Sequence, residues 1–379
     1  MPSGPDDWLR DQFARAYREQ AEKYGRFNLA IFGKTGVGKS TLVNAIFGEE
    51  VAATGIGEPV TREAHLYVHS TEFLGVYDTR GIEVGIDNEK ILAELANYVT
   101  AMRSQPVAEQ LHVAWYCVRS GDRRFEPAEA DFVRALHRLG LPVILVITQV
   151  PMRDGRPHPD TVALAQDIQS RDLPIFGQRP FFTMALRDDF TGQEAHGLIE
   201  VLDATFQVAP QTVEEALTAA QIIDAGRKKK QADAAVGTAV TAAASAGAVP
   251  IPFADAVILV PIQLGMMAAI AQTYGVRMDR ATLAGIAATA GATSVGRSLV
   301  GGMFKLIPGA GTLIGGTINA TVAGSITFAM GKAWMLVCQR LSQGELVGVD
   351  GVLDDVAIRR LFSDELRRQW TRRRKTIDN

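Results

Sequence analysis

The sequence contains little cysteine, no large excess of charge of either sign, and no apolar stretch at its beginning. Its two cysteines, Cys117 and Cys338, lie in apolar runs, which excludes a disulfide framework and predicts two buried thiols in a reducing compartment. The formal net charge is -3, so the chain as a whole has no strong attraction to nucleic acid or to anionic lipid. The N-terminal stretch is charged throughout and lacks the core of a secretory signal, which predicts a cytoplasmic protein.

The chain is longer than a single compact core usually requires, and its first half alternates between two kinds of segment. Short runs rich in β-formers predict strands at 27–32, 64–68, 73–77, 111–118, 141–149 and 179–185. Helical patterns lie between them at 40–48, 88–103, 127–140 and 197–206. This alternation predicts an α/β fold with a mostly parallel sheet flanked by helices, which binds ligands at the carboxyl edge of its strands.

The second half contains few β signals and is rich in alanine and glycine. Three uncharged segments stand out, at 234–254, 256–276 and 306–331. A bilayer span needs about 20 apolar residues, so the last two are long enough to span a membrane. Alanine and glycine rows also build tight helical bundles, and this alternative stays open. We expect an N-terminal amphipathic helix, a nucleotide-binding domain, an all-α and possible membrane-associated domain, and a basic tail, in that order; their ranges are 1–24, 25–208, 209–345 and 346–379.

The stretch "GKTGVGKST" follows the first predicted strand and opens the first predicted helix of the alternating region. It fits G-x-x-x-x-G-K-[ST], a loop whose glycines let successive N–H groups face phosphate oxygens. Lys39 is expected to reach the β- and γ-phosphates and Ser40 to bind Mg²⁺. The expected phosphate-binding residues are Gly33, Lys34, Thr35, Gly36, Val37, Gly38, Lys39, Ser40 and Thr41.

A second motif, "VYDTRG", supplies further candidates for a triphosphate site. Asp78 ends an apolar strand and is expected to help hold Mg²⁺, while the N–H of Gly81 is expected to face the γ-phosphate. Thr61, in the polar loop upstream, is the better candidate for a third metal ligand, with Thr54 as the alternative. Lys39, Thr61 and Gly81 are therefore the expected catalytic residues.

The motifs "GKTGVGKS", "GEPVT" and "DTRG" resemble those of the Era, septin and immunity-related branch of P-loop GTPases. The resemblance covers about residues 25–205. It implies GTP as substrate, Mg²⁺ as cofactor, and two switch loops that order around the γ-phosphate.

The sequence departs from that family at several positions. Its guanine-reading motif, N/T-K-x-D, is here "TQVP": Thr148 fits the first position, Gln149 stands in place of the lysine, and Pro151 stands in place of the aspartate. Thr148 and Gln149 are still expected to contact the nucleotide. Asp154 could substitute only if the loop bends. Ala185 is expected to offer its backbone N–H to the base. Ile82 stands where small relatives carry a water-orienting glutamine, which implies slow hydrolysis without a partner.

The helical half resembles an uncharacterised domain often found behind Era-like GTPases in bacteria. The resemblance rests on "PIPFADAVILVPIQLGMMAAIAQTYGV" and on composition. It implies a cytoplasmic GTPase switch coupled to a membrane or effector module, located at the inner face of the cytoplasmic membrane. A protein effector and a second copy of the chain are further candidate partners. The alternatives are a soluble GTPase acting in ribosome or RNA assembly, where the basic tail would bind phosphates, and an ATP-using P-loop enzyme.

Overall fold

A computed structural model describes residues 5–48, 57–59, 65–78, 88–247, 254–276, 320–346 and 354–377. The chain divides into two compact units. The first, called the sheet unit, is Tyr24–Ala225. The second, called the helical unit, combines Met1–Lys23 with Gly226–Asn379. The sheet unit is thus inserted, in sequence, between an N-terminal helix and the remaining helices of the second unit.

The helices are named in chain order. They are α1 (Pro5–Tyr24), α2 (Lys39–Phe47), α3 (Asn88–Met102), α4 (Pro127–Arg138), α5 (Pro159–Ser170), α6 (Leu198–Val208), α7 (Glu214–Ala220), α8 (Ala225–Gly247), α9 (Ala254–Thr273), α10 (Ala320–Ser342) and α11 (Asp355–Ile377). The strands are β1 (Phe27–Phe32), β2 (Gly57–Pro59), β3 (His65–Val68), β4 (Leu74–Asp78), β5 (Val113–Arg119), β6 (Val143–Thr148), β7 (Met152–Arg153), β8 (Arg156–Pro157) and β9 (Phe181–Phe182).

The sheet unit contains a seven-stranded sheet in the order β2-β3-β4-β1-β5-β6-β9. Neighbours from β4 to β9 are parallel, whereas β2, β3 and β4 pair antiparallel at one edge. The predicted mostly parallel sheet is therefore confirmed, and the predicted strands at 64–68 and 73–77 form an antiparallel hairpin, β3 with β4. Every residue of β1 and β6 is buried, as expected of strands covered by helices on both faces.

Aromatic side chains fill much of the core of the sheet unit. Phe32 packs edge-on against Phe132 of α4, and Phe47 of α2 stacks on Trp115 of β5. The indole N–H of Trp115 donates to Thr205 Oγ1 at 3.0 Å, which satisfies a polar atom that the core would otherwise leave unpaired. These contacts hold α2, α4 and α6 against the sheet.

The interior of the helical unit combines alanine and glycine on its helices with larger apolar side chains. Gly331 of α10 lies so close to α8 that an added Cβ would be 2.6 Å from Val236 Cγ2. Trp334 is fully enclosed and donates its indole N–H to the carbonyl of Met267 on α9 at 2.8 Å. Cys338, like Cys117 of the sheet unit, is a buried free thiol, as predicted. Close approach of α10 to α8 at Gly331 therefore shapes this interior together with large side chains such as Trp334.

Helix α1 packs within the helical unit although it stands at the opposite end of the sequence. Phe13 belongs to the apolar core of that unit. The hydroxyl of Tyr17 donates to the carbonyl of Val276 at 3.1 Å, and the side-chain amide of Gln272 donates to the Tyr17 carbonyl. From α8, Lys228 Nζ donates to the carbonyl of Thr273 at 2.8 Å. The C-terminal end of α9 is therefore tied to both α1 and α8.

Among the described residues, α10 alone is long and apolar enough to cross a membrane, by length and composition only. In its most apolar stretch of 18 residues, 72% is buried inside the protein. This helix overlaps the segment 306–331 singled out above, whose residues 306–319 lie outside the described part. The other segment, 256–276, contains the buried interior face of α9. A buried core helix and a membrane span pass the same test of composition.

The basic C-terminal stretch contains α11, which packs against the other helices of the helical unit. Phe362 and Leu366 are buried in its core, and the ring of Trp334 meets Phe362 edge-on. Arg360 and Arg367 are exposed on the other side of the helix. This part of the predicted tail, 346–379, is therefore an amphipathic helix with a cationic outer face.

Candidate functional site

The loop between β1 and α2 has the backbone geometry that its glycines permit. Gly33, Gly36 and Gly38 have φ angles of 134°, 79° and 90°, a region that residues with a Cβ rarely adopt. At Gly33 an added Cβ would lie 2.3 Å from the carbonyl oxygen of Cys117 on β5. Glycine is therefore required there both by the backbone angle and by the close approach of the neighbouring strand.

Lys39 is the first residue of α2, so it stands where the helix presents its unpaired N–H groups. Its Nζ donates to the carbonyl of Gly33 at 2.9 Å and to that of Lys34 at 3.1 Å. The loop therefore curls around the ammonium group. An ammonium has three N–H donors, so one more is available to a phosphate oxygen. A helix N-terminus beside a lysine is a favourable place for an anion.

The metal ligands expected from the sequence can be placed only in part. Ser40 lies exposed in the first turn of α2. Asp78 pairs in register with Ile31, two residues before the loop begins, so it ends its strand at the same edge of the sheet. Thr61 and Gly81 lie outside the described residues, as do Thr54 and Ile82.

The donors at this edge fit a hard cation. A hydroxyl and a carboxylate are oxygen ligands of the kind that Mg²⁺ prefers, usually together with phosphate oxygens of the substrate. Within the described ranges, no group of three or more His, Cys, Asp or Glu side chains could hold a metal by itself. Ser40 and Asp78 thus suit a metal that is bound jointly with a nucleotide.

Thr148 and Gln149, at the end of β6, contact the loop directly. Thr148 is buried, and its hydroxyl donates to the carbonyl of Val37 at 2.5 Å. Gln149 has a positive φ of 53°, and its side-chain amide donates to the carbonyl of Gly36 at 3.3 Å. Both residues therefore hold the backbone of the loop between β1 and α2 through hydrogen bonds to its carbonyls.

Asp154 is the acidic residue that follows the position of the missing aspartate, and its place in the structure decides whether it can replace it. Asp154 and Gly155 form the turn of the β7–β8 hairpin, in which Met152 pairs with Pro157. Asp154 is exposed at this turn with a φ of 52°. The loop does bend, but it carries Asp154 to the tip of a hairpin of its own.

The last expected base contact, Ala185, follows the short strand β9. Its neighbour Met184 exchanges two backbone hydrogen bonds with His196, at 3.1 and 2.9 Å. The ring Nε2 of His196 lies 3.0 Å from the carbonyl of Val150, just after Gln149. The segment of Ala185 is therefore fastened to the loop that follows β6.

Lys34 makes contacts that the motif did not predict. Its Nζ lies 2.9 Å from Glu126 Oε1 and 3.3 Å from Glu129 Oε2, at the start of α4. Sequence spacing carries no signal for these partners of Lys34, which lie 92 and 95 residues away along the chain. Arg123 forms an ion pair with Asp160 of α5 at 2.9 Å.

The comparisons with known proteins agree with this geometry. Residues 28–149 match the family described as 50S ribosome-binding GTPase, and residues 212–357 match a domain of unknown function (DUF697).

Curated relatives match between about a third and a half of the chain. GTPase Der of Lactococcus lactis subsp. lactis is 29% identical over 193 residues, which cover 49% of this chain and 38% of that protein. GTPase Der of Leuconostoc citreum is 30% identical over 193 residues, with the same coverage of 49% and 38%. Septin-12 of Rattus norvegicus is 29% identical over 146 residues, which cover 32% of this chain and 41% of that protein. The chain spans less than half the length of these relatives. Its phosphate loop, its sheet and these matches together identify a P-loop GTPase domain fused to a C-terminal helical domain.

Proposed function

We propose that the chain binds GTP together with Mg²⁺, hydrolyses it, and acts as a nucleotide-dependent switch. The observation that carries this proposal is the loop 33–40, whose carbonyls seat the ammonium of Lys39 at the N-terminus of α2. Lys39 and the backbone N–H groups of the loop would bind the β- and γ-phosphates. Mg²⁺, held by Ser40 and Asp78 with phosphate oxygens, would offset charge on the transferred group.

The switch itself would depend on residues that lie outside the described part of the chain. Thr61 and the N–H of Gly81 would sense the γ-phosphate, so the two loops would order in the GTP-bound state and relax after hydrolysis. Ile82 has no group that orients water. Hydrolysis is therefore expected to be slow until a partner, either an effector protein or a second copy of the chain, supplies the missing contact.

The phosphate site is tested by two substitutions. Lys39→Ala removes the ammonium group, and Ser40→Ala removes a metal-binding hydroxyl. Both should weaken binding of GTP with Mg²⁺ on the order of 100-fold, because Lys39→Ala loses a charge-assisted contact to phosphate and Ser40→Ala loses a ligand of the metal. Isothermal titration calorimetry of the full chain measures the affinity, and circular dichroism checks the fold.

Lys23→Ala is the matched control, because Lys23 is an exposed lysine near the end of α1. It should bind GTP as the unaltered chain does. Full affinity in both Lys39→Ala and Ser40→Ala would refute the proposed phosphate site.

For the helical unit we propose contact with an anionic membrane surface through α11. The supporting observation is that Arg360 and Arg367 are exposed while Phe362 and Leu366 face the core. Because most of α10 is buried within the unit, this arrangement favours contact at the surface over the insertion suggested by composition. Lysine and arginine near an anionic surface each contribute about 1 kcal/mol to binding.

Vesicle sedimentation tests this contact. The full chain should pellet with vesicles of phosphatidylcholine and phosphatidylserine, fail to pellet with phosphatidylcholine alone, and be released at about 0.5 M salt. Arg360→Gln combined with Arg367→Gln should weaken the binding, whereas Arg138→Gln on α4 should not. Retention at high salt would instead indicate apolar insertion. Absence of vesicle binding, with cosedimentation with ribosomes, would support the soluble ribosome-assembly alternative.

A further inference from the structure

Lys34 is held both by its side-chain ammonium and by its backbone carbonyl. Its side chain reaches the start of α4, where Nζ lies 2.9 Å from Glu126 Oε1 and 3.3 Å from Glu129 Oε2. Its backbone carbonyl accepts a hydrogen bond from Lys39 Nζ at 3.1 Å. The residue therefore connects α4 with the ammonium group that is placed to meet the phosphates.

Glu126 and Glu129, the two acids that contact Lys34, lie at the N-terminus of α4. Glu126 is the N-cap residue, and the side chain of Glu129 accepts the backbone N–H of Glu126 at 2.9 Å, in a reciprocal capping arrangement. Such a cap holds the first turn of the helix in place. Lys34 is thus bound to a rigid point of the fold.

Glu129 depends more strongly on a cationic partner than Glu126 does, because its side chain is only 3% exposed. The hydroxyl of Tyr116 on β5 donates to Glu129 Oε1 at 3.3 Å. A buried carboxylate that loses its cationic partner is strongly unfavourable, and close to the loop it would also repel phosphate. Burial acts against the ammonium of Lys34, but hydrogen bonding to Glu126 and the charge of Glu129 outweigh it and raise the pKa of Lys34 above its ordinary value.

We propose that Lys34 is a positioning residue of the phosphate site. It neutralises the buried carboxylate of Glu129 and anchors to α4 the carbonyl that, with that of Gly33, seats Lys39. This inference rests on the proposed binding of GTP and extends it to a residue at a variable position of the motif. The rival role for Lys34, direct contact with a phosphate, would require its ammonium to leave both carboxylates.

A double substitution separates the two roles. Lys34→Met leaves Glu129 unpaired, so GTP should bind at least about 10-fold more weakly. Lys34→Arg keeps the charge and should bind within about threefold of the unaltered chain. Glu129→Gln keeps an acceptor for Tyr116. Added to Lys34→Met, it removes the unpaired charge and should recover most of the lost affinity. A merely structural role would not give this recovery, since the double variant breaks the same contact.

The affinities are measured with a fluorescent GTP analogue, and hydrogen exchange of the 33–40 amides is measured in the nucleotide-free full chain. Exchange should be faster in Lys34→Met and restored in Lys34→Arg. Two binding results would overturn the proposal: unchanged affinity in Lys34→Met, or a double variant as weak as Lys34→Met, which would mean that Lys34 touches the phosphate. If the unaltered chain binds no GTP, the proposed function fails. The exchange data then decide alone, and unchanged exchange in Lys34→Met refutes the anchoring.

Discussion

The two units of this protein fill their interiors in different ways. Of the twelve largest fully buried side chains among the described residues, eleven lie in the sheet unit and only Trp334 lies in the helical unit. The helical unit instead buries many alanines and, on α10, Gly324 and Gly331, together with polar side chains such as Lys228, Gln272 and Thr327. The comparison indicates that bulky apolar volume specifies the sheet unit, while close backbone contact and internal hydrogen bonds specify the helical one.

The largest expected effect concerns glycine in the sheet unit. Gly33→Ala should destabilise that unit by about 3 kcal/mol or more, because the new Cβ would meet a backbone carbonyl and the φ angle is strained. Gly155→Ala is the matched control, since it shares a positive φ of 73° but meets nothing within 4 Å. That control should cost about 1 kcal/mol. Denaturant unfolding of the full chain measures both, and equal losses would mean that the clash with β5 is relieved by a shift of the loop.

The second effect concerns the buried lysine of the helical unit. Burial lowers the pKa of Lys228 to about 7, whereas the unfolded chain keeps its ordinary value of about 10.4. Between these values the unfolded chain binds more protons. The free energy of unfolding should therefore rise with pH, by about 2 kcal/mol from pH 7 to pH 9.

Lys228→Met should remove this dependence, and Lys230→Met, on the exposed side of the same helix, should keep it. The difference between each variant and the unaltered chain is measured by hydrogen exchange of the α8 and α9 amides, corrected for the intrinsic effect of pH on exchange. Taking differences cancels the titration of other groups. A slope that persists in Lys228→Met would show that Lys228 stays charged in the folded chain.

The third effect compares two glycines within the helical unit. Gly331→Ala should destabilise it by about 1 to 2 kcal/mol, because the Cβ would meet side-chain atoms of Val236 and Met266. Gly265→Ala lies in α9 with nothing within 4 Å, so it should stabilise the unit by up to about 1 kcal/mol through helix propensity. Thermal unfolding of the full chain checks the signs. The same sign in both variants would argue against packing by close approach of α10 to α8.

The smallest effect concerns the choice of base. With proline at position 151, GTP should be preferred over ATP and XTP by less than about 100-fold, well short of sites that pair a carboxylate with the base. Competition of the three nucleotides against labelled GTP measures the preference. Asp154→Ala should leave it unchanged, because Asp154 lies at the tip of the β7–β8 hairpin. A preference of many thousandfold that disappears in Asp154→Ala would assign the base-reading role to that residue.

Much of the sheet unit follows from sequence, because its signals are local. The spacing of Gly33, Gly38 and Lys39 after an apolar run defines both the loop and its place at the sheet edge. Helix α5 was not predicted, although Pro159 stands at its first position and His158 accepts the N–H of Asp160 as its cap. Its apolar face is short, so the periodicity is weak.

What the sequence could not supply depends on long-range contacts. Lys34 and Glu129 lie 95 residues apart, and no motif joins them. Lys228 stands in a basic cluster that is typical of a solvated surface, yet it is 7% exposed, because α8 turns this one position of the cluster inward. Composition therefore describes the helical unit well but not which of its polar residues are interior.

The insertion of the sheet unit between α1 and the other helices has a consequence for synthesis. On the ribosome α1 emerges before α9, although Tyr17 of α1 forms hydrogen bonds with Gln272 and Val276, which lie 255 and 259 residues later in the chain. The sheet unit can form its core before the helices that contact α1 have been synthesised, since domains generally fold as units during translation. Closing so long a loop makes docking of α1 a late step, slower than local helix formation. A fragment that begins after residue 208 lacks α1, so the apolar surface that Phe13 covers in the helical unit would stay exposed to water.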